Sequence, residues 1–346
     1  MSKLIRTTKR LAAALASACA FVAAPALAQD EAGFQAYLQT LRGQALAKGV
    51  SARTLDQVLP TLTLNTRVIE LDRQQPETSP NAPVPNFAPY KLRHVDASRI
   101  TRGRAAYQAQ RGRLERIERE MGVPESVMVA IWGHETNYGN VMGNFDLPRA
   151  LASLAYEGRR RDLFAGEFIA TLQMVDRGVP LYQMKGSWAG AFGGSQFLPS
   201  VYLRLARDGD GDGKADIWNS AADTLASIGN YLSNAGWRAG QPWGLAVTVP
   251  ASLDRGAMTS RLVSPRCPRV FARHSAWKTM AEWRALGVTP ETKTWPDDRV
   301  LATLIEPDGI GRTGYLLTGN YRVILDYNCS NFYALSVGLL ADAVEH

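Results

Sequence analysis

Four histidines and three cysteines among 346 residues leave little for a zinc framework, and no CxxC pair is present. Other familiar chemistries fail by a single residue. His134-Glu135 would open an HExxH zinc-protease motif, but Tyr138 stands where the second histidine belongs. The run Gly186-Ser187-Trp188-Ala189-Gly190 would be a serine-hydrolase elbow, yet it lacks the glycine two places before the serine. The glycines that follow are not in GxGxxG order and no strand precedes them, which argues against a dinucleotide loop. Beyond the first thirty residues there is no internal repeat and no low-complexity tract.

Those first thirty residues form a pattern of their own. Lys3, Arg6, Lys9 and Arg10 precede an apolar run from Leu11 to Val22, and Ala26-Leu27-Ala28 makes a small-x-small cleavage site. An export signal over 1–28 is expected, with the mature chain starting near Gln29 and working in the periplasm. Two alternatives stay open. One is an uncleaved membrane anchor, opposed by the alanine-rich run and Pro25. The other is an outer-membrane lipoprotein linked through Cys19, opposed by Ala16 where such signals carry leucine.

A strong excess of one charge is also absent. Removing the signal takes four of the 39 basic residues and none of the 32 acidic ones, leaving 35 against 32, or about +3. Such a balance calls for no nucleic acid and suits an anionic polymer such as the cell wall. The 318 residues that remain of the 346 suffice for one sizeable core and a smaller second domain. Cys267 and Cys329 either form a disulfide in an oxidising compartment or are two unrelated buried thiols.

Phe34 to Val68 has helical spacing, with Ser51 placed to cap its second segment. Five prolines between Pro76 and Pro89 predict an extended strap, with Val84, Phe87 and Tyr90 available to pin it. A long charged helix follows from Ser98 to Met121, carrying Tyr107, Leu114 and Ile117 among its apolar positions, and Pro124 opens another. The helical pattern continues to Val179 and returns over Ala221 to Ala235. Between Trp243 and Asp326, the runs Leu245 to Val249, Arg299 to Leu304 and Tyr321 to Leu325 predict strands, and Asn331 to Val344 a closing helix. The expected class is therefore mainly α, of the α+β kind. The expected division is a helical segment with the strap over 29–121, a helical core over 122–244, and a small β-containing domain with the last helix over 245–346.

Glu135 shares a helical face with Met128, Ile131 and Trp132, which lie seven, four and three residues before it. Burial on such a face disfavours the charged carboxylate and makes a better proton donor, as a glycosidic general acid requires. A glutamate paired with a core arginine is the alternative. The run Ser187 to Ser200 joins glycines that let backbone approach a ligand with Gln196, whose amide can both donate to and accept from an amino sugar. Phe197 or Trp188 could stack on a pyranose, and close helix packing around small residues is the plainer account.

The stretch 208–219 reads as an EF-hand-like calcium loop. Asp208, Asp210 and Asp212 occupy positions one, three and five, with Gly213 at six, the Lys214 carbonyl at seven and Asp216 at nine. Asn219 replaces the bidentate glutamate at position twelve, which weakens affinity; Asp223 is a candidate to compensate. A solvated acidic turn is the alternative. Structural calcium is expected, and no organic cofactor.

Taken in order, Gly133-His-Glu-Thr-Asn-Tyr-Gly139, Gly190-Ala-Phe-Gly-Gly-Ser-Gln-Phe-Leu-Pro-Ser200, the Asp/Gly loop with Ile217-Trp218, Asn230-Tyr231, Gly236-Trp237 and Pro242-Trp243-Gly244 resemble the B-type lytic murein transglycosylases, glycoside hydrolase family 103. The resemblance spans roughly residues 95 to 345 and implies a lysozyme-like catalytic core. It implies that Glu135 is the acid and base, that Ser187 and Gln196 contact substrate and Tyr231 lies in the cleft, and that Arg159, Arg160 and Arg161 face peptidoglycan; Phe197 and Tyr138 join the expected substrate-binding set. Phe192 and Ser195 depart from the usual pattern. The implied reaction cuts the MurNAc-β-1,4-GlcNAc bond and leaves 1,6-anhydromuramic ends, with glycan strands as partner to a monomer and a larger cell-wall enzyme complex left open. A muramidase-type hydrolase and a non-catalytic, calcium-stabilised wall-binding protein are the alternatives.

Overall fold

The computed structural model describes residues 30–75, 83–264, 266–292 and 294–345. The expected signal over 1–28, with Cys19, and the strap prolines Pro76 and Pro80 lie outside the described residues. Helix α1 (Glu31–Ala47) starts where Asp30 accepts the Gly33 N–H, α2 (Ala52–Val58) where Ser51 accepts that of Thr54, and α3 (Thr66–Arg73) behind Asn65. Each such cap satisfies an otherwise unpaired N–H and contributes about 1 kcal/mol.

The strap expectation needs correction at its end. Residues 83–86 are irregular, but α4 (Ala88–His94) begins with Pro89 in its first turn, where the missing N–H costs nothing. Phe87 is fully buried and its ring lies 5.4 Å from Phe332, whereas Val84 is exposed and pins nothing.

Helix α5 (Ala97–Met121) is capped by Asp96 and stops at Gly122, which takes a left-handed φ of 69°. Helix α6 (Glu125–Thr136) follows at once and is enclosed by α5, α10 (Ala221–Asn234) and α14 (Asn331–Glu345). Its Met128 and Ile131 are fully buried, each stabilising by roughly 2 kcal/mol. Around α6 lies the principal core, which includes Leu114, Leu225, Ile228, Tyr321, Leu335 and Leu340. A second core joins Phe34, Leu38 and Leu55 to α7 (Leu147–Glu157) and α8 (Arg161–Asp176) through Leu151 and Phe168. Strands β1 (Phe145–Asp146) and β2 (Lys185–Gly186) form a small antiparallel pair, and α9 (Pro199–Leu205) follows the glycine-rich loop.

The second sheet is antiparallel in the order β4-β6-β7-β3-β5, with β3 Gly244–Thr248, β4 Lys278–Thr279, β5 Thr289–Pro290, β6 Leu301–Ile305 and β7 Gly314–Leu317. Its alternation of side chains sends Tyr315, Leu317 and Ile305 into the principal core. Leu245, Val247, Leu304 and Leu316 point the other way, where Met280 and Trp283 of α12 (Met280–Ala285) cover them. The sheet is thus a layer between two cores.

Tyr321 to Leu325, expected as a strand, is helical: α13 spans Gly319–Tyr327. Thr318 caps it by accepting the Asn320 N–H, and Tyr321, Ile324 and Leu325 face the core at helical spacing. A short apolar run buried on several sides has no periodicity that separates strand from helix. Cys267, just before α11 (Pro268–Phe271), and Cys329, between α13 and α14, form a disulfide.

Candidate active site

Glu135 is the penultimate residue of α6, half-buried where the helix leaves the core. Its carboxylate accepts the Tyr333 hydroxyl at 2.6 Å. Burial pushes the Glu135 pKa up to about 7, against a smaller downward pull from that hydrogen bond. Burial also raises the Tyr333 and Tyr327 hydroxyls well above the ordinary tyrosine range, helped by the Glu135 charge. Among the described residues no carboxylate contributes to the shift of Glu135.

The chain then turns sharply, with Asn137 and Tyr138 both in the left-handed region at φ 51° and 59°. This hook holds Thr136 so that its hydroxyl donates to the Gly194 carbonyl at 3.0 Å and accepts the Gly139 N–H at 3.1 Å. Glu135 and the glycine-rich loop are thereby joined through one side chain. Within that loop, Phe192 and Phe197 exchange backbone hydrogen bonds at 2.9 and 3.1 Å and enclose Gly193 to Gln196. A Cβ on Gly194 would sit 2.6 Å from Thr224 Oγ1 and 3.0 Å from Trp132 Nε1, so only glycine allows this approach.

Gln196 is half-buried and spends its amide N–H groups on the Gly193 carbonyl at 3.0 Å and that of Met142 at 3.4 Å. Tyr327 donates to the Ser195 carbonyl at 2.5 Å. Phe197 is 3% exposed and packs on Tyr231 and Tyr327, so its ring belongs to the wall behind the loop. The Tyr231 hydroxyl donates to the Asp326 backbone carbonyl at 2.9 Å. Ser187 accepts the Ala191 N–H at 3.0 Å and closes the turn that precedes the loop. Tyr138 is a wedge: its hydroxyl donates to the Arg99 carbonyl, and a Cβ on Gly103 or Gly133 would lie 2.5 Å from its side chain.

Arg159 and Arg160 are placed at the junction of α3, α7 and α8. Both pair with the buried carboxylate of Asp72, Arg159 at 2.7 Å. Burial would raise the Asp72 pKa, but the two guanidinium groups outweigh it and hold the carboxyl below its usual range. The guanidinium of Arg161 lies over the Tyr37 ring. The structure does not place Arg159 or Arg160 among the hydrogen-bonded partners of Glu135.

Ligand oxygens of Asp208, Asp210 and Asp212 lie within 4.8 Å of one another. Gly211 and Gly213 turn the loop at φ 86° and 89°. The set is all hard oxygen and suits a calcium ion. Asp216 and Asn219 are bonded to each other at 2.9 Å, and Asp216 also accepts from Gln183. Lys214 donates its N–H to Asp212. Asp223 is 1% exposed and braces the loop from behind, accepting the Gly209 and Asp216 N–H groups at 2.8 and 2.7 Å. The loop also reaches the site: the Ile217 carbonyl accepts the Gly194 N–H at 2.7 Å.

Tyr333, Tyr327 and Thr136 are absent from the sequence-based set. A hydroxyl-bearing Tyr333 inside the apolar run of α14 was the one available signal, since buried tyrosines usually find a polar partner.

The family model described as Transglycosylase SLT domain matches residues 33–342. Membrane-bound lytic murein transglycosylase B of Escherichia coli (strain K12) is 30% identical over 304 residues, which cover 86% of this chain and 79% of that protein. SltB3 from Pseudomonas aeruginosa in complex with NAG-NAM-pentapeptide aligns with a TM-score of 0.80 at 38% identity, covering 90% of this chain and 79% of that one. The same protein has been solved with NAG-anhNAM-pentapeptide. Slt35 of Escherichia coli in complex with calcium aligns with a TM-score of 0.71 at 26% identity, covering 91% of this chain and 93% of the other.

Proposed function

Because the chain belongs to the SLT-domain lytic murein transglycosylases of the B type, we propose that Glu135 is the acid and base with which it cuts the MurNAc-β-1,4-GlcNAc bond of peptidoglycan. The observation that carries this reading is the half-buried Glu135 carboxyl, held to Tyr333 and raised to about 7. Near neutral pH a large fraction stays protonated and can donate to the glycosidic oxygen as the C1–O bond breaks. The resulting carboxylate then takes the proton of the muramoyl C6 hydroxyl while that oxygen bonds to C1. A 1,6-anhydro ring forms and no water is consumed.

Ordinary glycosidases use two carboxylates, one as acid and one as base or nucleophile. An internal hydroxyl needs no second acid, because its effective molarity exceeds that of solvent. Among the described residues no carboxylate shifts Glu135, which fits this chemistry. The half-buried Gln196 and Ser187 would hold the amino sugar, with Tyr231 and Phe197 supporting the wall behind them. The substrate would be glycan carrying peptide stems, by likeness to the SltB3 complexes. Calcium would sit on Asp208, Asp210 and Asp212 and stiffen the loop that meets Gly194. Export to the periplasm through residues 1–28 supplies access to the wall; among the described residues no helix is long and apolar enough to cross a membrane.

Digestion of purified glycan strands followed by mass spectrometry tests the reaction. Anhydromuramic ends are expected, one water lighter than reducing ends. Reducing ends, with heavy oxygen from labelled water at C1, would make the protein a hydrolase.

A further inference from the structure

The entrance of α14 is fastened to the segment that opens with α11. The disulfide between Cys267 and Cys329 is one link. Asn331, the first residue of α14, makes two more: its Nδ2 donates to the Val270 carbonyl at 3.1 Å, and its Oδ1 lies 2.8 Å from His274 Nε2. The Tyr321 hydroxyl of α13 donates to the Asn331 carbonyl at 3.0 Å. On the other side of the imidazole, His274 Nδ1 lies 3.0 Å from the Thr303 hydroxyl of β6. Thr303, His274 and Asn331 are all buried, so a polar chain runs from the sheet to the helix inside the protein.

The direction of its bonds is fixed. Burial, with the charges of Arg322 and Arg273 beside it, pushes the His274 pKa down to about 3, so the ring is neutral near pH 7 and carries one N–H. With Asn331 Nδ2 spent on Val270, the atom facing the ring is an acceptor, and Nε2 must hold that hydrogen. Nδ1 then accepts the Thr303 hydroxyl. The imidazole is a strut between β6 and the first turn of α14.

Tyr333 stands in the same turn, its N–H capped by Ser330 Oγ at 3.3 Å. Two residues along a helix are separated by roughly 200°, so Asn331 and Tyr333 project from opposite sides. A roll of the helix by about 10° would carry a side-chain tip by on the order of 1 Å, enough to break a hydrogen bond. The strut on one side blocks the roll that the Tyr333–Glu135 bond on the other could not survive.

We infer that His274 and Asn331 are positioning residues, which hold α14 in the rotation at which the Tyr333 hydroxyl meets Glu135. Since that hydroxyl stabilises the carboxylate, the strut helps to set the acidity of Glu135 from the far face of the helix. That this carboxyl cuts glycan rests on the function proposed above; the link from His274 to its acidity does not.

The test reads Glu135 directly, from the pH dependence of its carboxyl carbon resonance in the whole protein, assigned by its loss in E135Q. The hydroxyls of Tyr333, Tyr327 and Tyr90, which face that carboxyl, are held above the ordinary tyrosine range, so among these groups Glu135 is the one that changes charge near neutral pH. H274F removes both imidazole bonds. The Glu135 midpoint is expected to rise by about half a unit, with the alkaline limb of kcat/KM following it. H274Q, whose amide can donate to Asn331 and accept from Thr303, should restore the parent's midpoint. On the Y333F background, where the bond to Glu135 is already gone, H274F should move the midpoint no further. T303V frees the ring to change tautomer and should give a smaller shift in the same direction. An unmoved midpoint in H274F, or in T303V if H274F does not fold, would overturn the positioning role. So would an equal shift on the Y333F background, or no recovery in H274Q. A midpoint that moves while the kcat/KM limb stays would uphold it and remove Glu135 as the acid.

Discussion

Tyr333 and Glu135, 198 residues apart in the chain, share one hydrogen bond of 2.6 Å. Helix α14 therefore completes a site that α6 begins. Because the tyrosine hydroxyl donates, it stabilises the carboxylate and offsets part of the burial that raises the Glu135 pKa.

Removing that donor should move the acid in a known direction. In Y333F the Glu135 pKa is expected to rise above the value of about 7 in the parent, so the alkaline limb of a kcat/KM profile shifts to higher pH. Turnover at the optimum should fall by roughly ten-fold, the worth of one hydrogen bond to a charged group. A profile with the parent's limb would show that Tyr333 does not set this acidity.

E135Q keeps the shape and loses the transferable proton. We expect it to fold, to bind glycan strands, and to retain under about 1% of turnover, the loss typical of a general acid. Stability supplies a second readout. A carboxyl whose folded pKa is raised favours the folded state below its unfolded value near 4.5, and that contribution fades as pH rises through about 7. The parent's melting temperature should therefore fall relative to that of E135Q between pH 5 and 8; parallel curves would contradict the raised pKa.

Calcium should stabilise the parent and leave D212N nearly unchanged. An ion at a hundred times its dissociation constant contributes about 2.7 kcal/mol, which is several degrees in melting temperature for a chain of this size. Equal melting in calcium and in chelator would remove calcium from Asp208, Asp210 and Asp212. Since Ile217 of the same loop holds Gly194, chelation is also expected to lower activity in the parent.

The Cys267–Cys329 bond closes a loop of 62 residues. The chain-entropy account assigns such a closure about 4 kcal/mol. Reduction of the protein, or C267S/C329S, should lower stability on that scale as read by denaturant midpoint. No shift in midpoint would place the stability of the β3–β7 region in its two cores alone.

The sequence carried the α5 and α6 boundaries because their signals are local: Asp96 caps, Gly122 ends, and Pro124 restarts the chain. It singled out Glu135 as a candidate because a carboxylate amid Met128, Ile131 and Trp132 is chemically out of place. The spacing of Asp208, Asp210 and Asp212 was equally legible, and those three do converge. Tyr321 to Leu325 misled because an apolar run enclosed by α10, α14 and β7 presents no single wet face to mark its period. Tyr333, Thr136 and the Asp72 pairs with Arg159 and Arg160 depend on contacts between distant segments, for which no spacing rule exists.

The sheet sandwiched between two cores limits how a chain of this design can diversify. One face completes the packing around α6, and the return to α13 and α14 delivers Tyr333. Recombination could not lift that layer out or exchange it for another, as it can with a bead on a string, without dismantling the contact between Tyr333 and Glu135. Room for a change in length lies in exposed stretches that leave the layer and come back, such as residues 261–263 between β3 and β4.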